Sequence, residues 1–462
     1  MYIPIEKMKN CNEITILGGG PAGMAIAYYA NARGIPFTLF EASERIGGNC
    51  ITMERNGFFF DSGAHRLHDK DIQTTEAIKQ LMGDELELIQ VPSQIYRNGR
   101  FIDFPLSPFN LLKYLGIFRF SRAAIQILFN RVDSRNTFRD LAAGTYGEMI
   151  SRLFLLHYTE KLWGLPAERL SPAVAGKRLK GLNLKSFILE TLKGSKAKTA
   201  HLDGQFHYPK YGIGSIFEKM KTHCGSDNFR LDSRITGIFH HENRITEIEV
   251  NGAIRTEVNQ LVSTLPLGTL FRILRPRPPA AIMKLARSIR FRNVLLVCFF
   301  LNKANVNDNG SMYFPSEEYP FTRIYEPRNR SRAMAPPGKT SLIVEIPCQE
   351  TDNIWNRDKE QTIEEIESHL IRAGFFTKDE ILGADTCRIF NAYPVLEAGF
   401  EQKIEPLFKY LSGFENLYLS GRNGLFAYTH IHDHMKNGRN IVRRISNTLS
   451  QSDMTALIPV SL

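Results

Sequence analysis

A chain of 462 residues that is 43% hydrophobic can bury large cores and divides into about two domains, and it contains no apolar run long enough to span a bilayer. A formal net charge of +10 points to an anionic partner, yet no basic run interleaved with aromatics marks a nucleic-acid module, so nucleic acid is left out of the reading. Cys11, Cys50, Cys224, Cys298, Cys348 and Cys387 form no CxxC or Cys/His cluster and read as reduced thiols, and MYIPIEKMKN has no hydrophobic signal region, which together predict a cytoplasmic protein.

The first predicted unit runs from Glu13 to Glu41. Ile14, Ile16 and Leu17 form a short apolar strand that stops at Gly18-Gly19-Gly20-Pro21-Ala22-Gly23, and Met24 to Arg33 follows at helical spacing. A second strand, Phe37 to Phe40, ends at Glu41. In the spacing Gly18-x-Gly20-x-x-Gly23, the first glycine permits the tight turn, the second lets backbone approach a pyrophosphate, and the third lets helix pack closely on strand. The helix N-terminus turns its unpaired N–H groups toward phosphate. Glu41, about twenty residues on, stands where a carboxylate accepts hydrogen bonds from a ribose 2′-OH. Strand, glycines, helix, second strand and terminal acid agree on dinucleotide binding over a merely structural turn.

Further along, His65 to Lys70 leads into a helix over Ile72 to Met82, and Glu85 to Tyr96 reads as strand. Arg97-Asn98-Gly99-Arg100 is a hairpin turn. The stretch FIDFPLSPFNLLKYLGIFRFSRAAIQILFNR continues as helix with Leu, Phe, Ile and scattered arginines, and two readings compete for it: a buried helix of a substrate domain, or an amphipathic segment lying on a membrane. Thr137 to Leu192 is helical, interrupted at Tyr158 to Pro166, and Lys193 to Gly204 is a polar linker. Strands follow at Phe229 to Leu231, Ile235 to His240, Ile245 to Val250 and Arg255 to Glu257, with Asn251-Gly252 a second hairpin signal, and Leu261 to Pro266 returns to the first sheet. Strands at Asn293 to Leu301, Ser311 to Phe314, Arg323 to Tyr325 and Ser341 to Ile346 precede a helix at Thr362 to Ala373. The end carries a strand at Asn416 to Leu419, the turn Gly421-Arg422-Asn423-Gly424 and a helix from about Met435. His430, His432 and His434 alternate like metal ligands, but with Asp433 as the one accompanying carboxylate they read as a polar lining and no metal is assigned.

Glu41 to Gly48 (EASERIGG) with Gly57 to His65 (GFFFDSGAH) resembles the extended FAD signature of the FAD-dependent amine oxidase and protoporphyrinogen oxidase superfamily. DSGAHRLHDKD, FIDFPLSP, YTEKLWGLPAERLSPAVAGKRLKGLNL, YPKYGIGS, NAYPV and GRNGLFAYTHIHDHMKNG, in order and spacing, resemble its UDP-galactopyranose mutase-like branch. The resemblance implies an α/β fold, with a Rossmann-type FAD-binding domain of the glutathione-reductase-2-like kind and an inserted α+β substrate domain. The FAD-binding domain is expected from 1–100, 205–273 and 386–462, and the substrate domain from the helical 101–204 and the strand-rich 274–385. Non-covalent FAD is the implied cofactor, with NAD(P)H a candidate external reductant. Its implied ligands are Gly18, Gly20, Gly23, Glu41, Arg45, Gly47, Gly48, Gly63, Ala64, Ile235, Gly421, Arg422, His432 and Asp433. His65, Arg178 and Arg323 are the catalytic candidates, the two arginines placed at a nucleotide sugar, and Tyr393 and Tyr428 are the substrate contacts.

The implied function is mutase-like action on a nucleotide-linked sugar or related polysaccharide precursor, an anionic small molecule; the alternative is an FAD-dependent oxidase or desaturase. Contact with the inner face of a membrane goes with the amphipathic reading of the helix. The chain departs from the branch at Ala427, where an Arg or Lys precedes the tyrosine.

Overall fold

Ile14–Leu17 is buried along its whole length, as a strand covered on both faces is, and Ile14, Ile16 and Leu17 supply its apolar surface. It lies at the centre of a five-stranded parallel sheet in the order Leu417–Leu419, Gln260–Ser263, Ile14–Leu17, Phe37–Phe40, Phe229–Arg230. Three distant parts of the chain therefore meet in one sheet. The computed structural model describes residues 13–129, 136–175 and 205–452.

The helix Pro21–Asn31 follows the central strand, with proline at the start, where no N–H is needed. Against it packs the last helix, Ile431–Ser452, so closely that a Cβ on Gly438 would stand 3.0 Å from both the carbonyl carbon and the Cβ of Ala25. A second sheet orders Ile254–Glu257, Arg244–Val250, Ile235–His241 and Leu274–Arg275. Its hairpin turns at Asn251 (φ 53°) and Gly252 (φ 71°), the two positive φ values that a type I′ turn requires and that Asn-Gly accepts at little cost.

The largest sheet has seven strands in the order Ile381–Pro394, Phe291–Leu301, Thr340–Cys348, Arg323–Tyr325, Ser311–Tyr313, Ser93–Arg97, Arg100–Phe104. Leu295, Val297, Phe299 and Leu301 face one core, and Val294, Leu296, Cys298 and Phe300 face another that includes Phe58, Phe60 and Ala64. Burial on both faces explains the unbroken apolar run of Phe291–Leu301. The segment expected as one strand over Glu85 to Tyr96 is two, Leu86–Gln90 and Ser93–Arg97, because Pro92 interrupts the ladder. The boundary expected at residue 100 falls within the Ser93–Phe104 hairpin, whose first strand, Ser93–Arg97, pairs with Ser311–Tyr313, and the boundary at 385 falls within Ile381–Pro394. Local turn chemistry marks a hairpin but does not say which sheet it joins.

Pro108–Phe129 is a helix broken at Gly116 (φ 73°, ψ 166°), and beside it runs Phe138–Ser151, opened by a Thr137/Asp140 capping box. Leu111, Ala123 and Ile127 face a core shared with Ile95, Ile102, Tyr146 and Phe154, while Phe109, Ile117, Phe118 and Ile125 face outward. The buried face matches the core-helix reading, and an exposed apolar face runs beside it. No described helix is long and apolar enough to cross a membrane.

Candidate active site

The glycines at the first turn divide by what their missing side chains make possible. A Cβ on Gly18 (φ 99°) would stand 2.4 Å from Thr264 Oγ1, and one on Gly23 would stand 1.9 Å from the carbonyl oxygen of Gly18, so these two exist for contacts within the protein. A Cβ on Gly20 would meet one atom within 4 Å, the Cα of Gly48 at 3.8 Å, and otherwise open space. Gly48 (φ 54°) closes on the same point, since its own Cβ would lie 2.9 Å from Gly20 Cα. Gly47 (φ 97°) donates from its N–H to Gly19 O at 2.8 Å, and Arg45 Nη1 reaches Gly48 O at 3.3 Å. The two glycine stretches thus form a cradle at the start of Pro21–Asn31, whose first N–H groups no side chain caps. A pyrophosphate fits there: the space a Cβ would fill is left empty, and the helix dipole favours negative charge.

At the far side of the cradle Glu41 accepts from the Gly19 N–H at 2.7 Å and from the N–H and hydroxyl of Ser43, both at 2.9 Å. Its backbone carbonyl accepts from Ser233 N at 2.8 Å, which brings the start of Ile235–His241, and so Ile235, to the end of the second strand. The carboxylate stands where the ribose of a dinucleotide lies in such units.

Gly63-Ala64-His65 follows Asp61, and this turn is bound on every side. Asp61 accepts from Tyr208 Oη at 2.6 Å, Thr52 Oγ1 at 2.7 Å and Ile213 N at 3.0 Å, and its carbonyl accepts from Tyr325 Oη at 2.5 Å. Burial raises the Asp61 carboxyl despite these bonds. The Ala64 N–H donates to Glu345 Oε1 at 2.8 Å, and Arg330 Nη1 donates to His65 O at 2.9 Å. Arg323 grips both oxygens of Glu345 at 2.6–2.9 Å; burial works against the guanidinium, but the paired carboxylate holds it well above its ordinary value.

The C-terminal turn reaches the same place. A Cβ on Gly421 (φ 86°) would lie 3.3 Å from Thr264 Cβ and 3.5 Å from Ala22 Cβ, against the first turn of the cradle helix. Arg422 donates to Ala392 O at 2.9 Å and twice to Thr429 O, at 2.7 and 3.2 Å, and stacks over Tyr393 and Tyr428 with its central carbon 5.3 and 5.1 Å from their ring centres. These rings and Trp163 form an aromatic trio, each pair 5.8–5.9 Å apart. His430 and His432 stack at 5.5 Å, and Asp433 accepts from the His430 N–H at 2.9 Å and pairs with His432 at 3.5 Å. Asp433 thus caps the last helix from within its first turn.

Desolvation lowers His65 to about 3, reinforced by Arg422, Arg323 and Arg330, and lowers His434 to about 3, reinforced by Arg422. It raises Cys50 to about 12 and, aided by Tyr428, Tyr393 to about 12. Around this turn, neutral imidazoles, a thiol and a phenol therefore face three guanidiniums.

Of the expected residues, Glu41, Arg45, Gly47 and Gly48 adjoin the Gly18–Gly23 turn, Gly421 lies against its helix, and His65, Arg323, Arg422, Tyr393 and Tyr428 neighbour one another around the Gly63-Ala64 turn; Arg178 lies outside the described residues. Sequence reasoning missed Glu345, Arg330, Trp163 and Lys161. Glu345 had a signal, a lone carboxylate within the apolar strand SLIVEIPC. Lys161 had none: its Nζ lies 2.6–3.0 Å from the carbonyls of Phe314, Ser316, Tyr319 and Phe321, tying His157–Trp163 to the segment that leads into Arg323.

Among curated proteins, coproporphyrinogen III oxidase of Bacillus subtilis (strain 168) is 20% identical over 449 residues, 88% of this chain and 93% of that protein. The mitochondrial protoporphyrinogen oxidase of Nicotiana tabacum is 24% identical over 160 residues, 34% of this chain; this match and that to an Arabidopsis thaliana protoporphyrinogen oxidase span 31% and 30% of those relatives. A solved structure of reduced UDP-galactopyranose mutase superposes with a TM-score of 0.80 at 18% identity, covering 95% of this chain and 96% of that one, which shows a shared fold. The family described as flavin containing amine oxidoreductase matches residues 21–445, nearly the whole cradle-to-C-terminus span, and the chain belongs to that family of FAD-dependent flavoenzymes.

Proposed function

We propose that the protein acts on a nucleotide-linked sugar or a related anionic polysaccharide precursor, in the manner of a UDP-galactopyranose mutase. The observation that carries this reading is the convergence of Arg323, Arg330 and Arg422 around His65, with Glu345 and the burial-raised Asp61 as the facing carboxyls. Such a field favours a diphosphate, or the negative charge of a reduced cofactor, beside the turn. Bound FAD supplies hydride exchange or a nucleophilic ring nitrogen. The protein would supply position and exclusion of water: the Gly18–Gly23 cradle would hold the pyrophosphate, and the Ala64–His65 turn with Trp163, Tyr393 and Tyr428 would line the reacting end. Neutral His65 and His434, thiol Cys50 and phenol Tyr393 supply no charged base or nucleophile at neutral pH, and Glu345 has both oxygens held by Arg323, which suits chemistry centred on the cofactor. The redox-neutral reaction requires FAD in its reduced form, for which NAD(P)H is the proposed external reductant.

One observation favours a second reading, oxidation or desaturation of a substrate that carries no diphosphate. Both oxygens of Glu345 are taken by Arg323, and Ala427 leaves no cation before Tyr428, so the arginine set is less free to bind phosphate than its number suggests. Titrating oxidised and dithionite-reduced protein with a panel of nucleotide sugars while following the flavin spectrum, then assaying anaerobic turnover, separates the two. Perturbation and redox-neutral turnover of one nucleotide sugar support the first reading. No response to the panel, together with flavin reduction by a porphyrinogen or an amine, establishes the second.

A further inference from the structure

Pro108–Phe129 is a two-sided helix with one side covered. Leu111, Ala123 and Ile127 are buried, and Phe120 packs beside them. On the other side Phe118 is 88% exposed, Phe109 72%, Ile117 62% and Ile125 57%. Phe118, Arg122 and Ile125 follow at i, i+4 and i+7, one helical stripe, with Arg119 and Lys113 exposed nearby. The break at Gly116 puts Ile117 and Phe118 at the corner of the bend.

The charge on this face has one sign. Residues 108–129 contain Lys113, Arg119 and Arg122 and no acid. In the neighbouring helix and the segment beyond it, Glu148 pairs with Arg139 and Arg152, and Glu168 pairs with Arg139, so those acids are already used. Large apolar side chains bordered by cations with no acid partner among the described residues match a lipid headgroup layer, where the apolar groups enter the acyl boundary and the cations meet anionic headgroups. A second copy is disfavoured, since a two-fold contact would set each face's arginines against the other's with no carboxylate between them. We infer that this face docks the protein onto an anionic lipid bilayer, whatever substrate it turns over.

The test is sedimentation of the full-length, FAD-loaded protein with vesicles of phosphatidylcholine alone or with about one-third phosphatidylglycerol. The protein is expected to pellet with the anionic vesicles, to remain in solution with phosphatidylcholine alone, and to be released by about 0.5 M salt. Ile117→Ser/Phe118→Ser and Arg119→Gln/Arg122→Gln should each lower the partition about tenfold or more. Unchanged flavin absorbance and melting temperature would show that the fold is intact, as expected for exposed positions. Failure of the wild type to pellet with anionic vesicles overturns the inference, as does equal pelleting by wild type and both variants. If wild type stays off vesicles but forms a dimer that the serine variant disrupts, the face belongs to a second copy and the inference is likewise wrong.

Discussion

Glycine is used in two physically different ways within six residues of this chain, and the difference can be tested. At Gly23 the nearest atom to an added methyl is a backbone oxygen at 1.9 Å, so Gly23→Ala forces helix and strand apart. That overpacking should cost about 1–3 kcal/mol of stability, visible in thermal unfolding of the flavin-free protein. At Gly20 the backbone is extended (φ −71°, ψ 179°), which suits a β-branched residue, and the space beside it is open. Gly20→Val should therefore leave the flavin-free melting temperature near that of wild type yet abolish the yellow colour, because the side chain occupies the path of the pyrophosphate. Stoichiometric FAD in a folded Gly20→Val protein would show that the cofactor does not pass over this loop. The sequence already assigned Gly18 and Gly23 to turn and packing and Gly20 to the pyrophosphate; that Thr264 lies against Gly18 and Gly48 against Gly20 became visible only in the fold.

Among the elements, those specified locally were readable and those specified by distant partners were not. Asn98-Gly99 and Asn251-Gly252 turn where expected, since the positive φ values they supply are a property of two residues. The helix expected over Ile72 to Met82 forms there, capped by Asp71, which accepts from Thr74 N at 2.9 Å. By contrast, the membership of Ser93–Phe104 in the largest sheet, and the pairing of Glu345 with Arg323, depend on strands more than two hundred residues away in the first case and on sheet register in the second. Lys161 shows the same limit most clearly, because its four carbonyl partners lie about 150 residues further on. Its ammonium can satisfy up to three of them at a time, and burial lowers it to about 7. Lys161→Met keeps the stem and removes the charge, leaving the Phe314–Phe321 carbonyls without this donor; a loss of about 2–4 kcal/mol in chemical unfolding is expected. The same variant should loosen the segment before Arg323, so protease cleavage within Phe314 to Phe321 should quicken. Unchanged stability and cleavage would mean that water replaces the ammonium at no cost.

For the whole molecule, the site is a meeting of chain ends, and its protonation ties their association to pH. His65 follows the first hairpin and His434 lies in the last helix, more than three hundred residues later, yet Arg422 bears on both. Each is lowered to about 3, by burial first and by guanidiniums second, whereas an unfolded histidine titrates near 6.5. Between about pH 3 and 6.5 the unfolded chain thus binds protons that the folded chain refuses, and stability must rise with pH across that window and fall as acid is added. His68, lowered to about 4 by burial and then Arg66, adds in the same direction. Each of these histidines should remove on the order of 2–3 kcal/mol between neutral pH and pH 4.5, with most of the change below pH 6.5. Replacing His434 with Asn removes one titrating group while keeping a polar side chain beside Thr429, whose hydroxyl lies 3.3 Å from His434 Nε2. Melting temperatures of both proteins at pH 7.5, 6, 5 and 4.5 should then converge as the pH falls, the variant losing less than wild type. Parallel curves over this range would show that His434 is not a source of the acid lability, since carboxylates such as Glu380 and Asp385, whose lowered values also withdraw stability in acid, do so only as the pH falls toward about 4.5 and below.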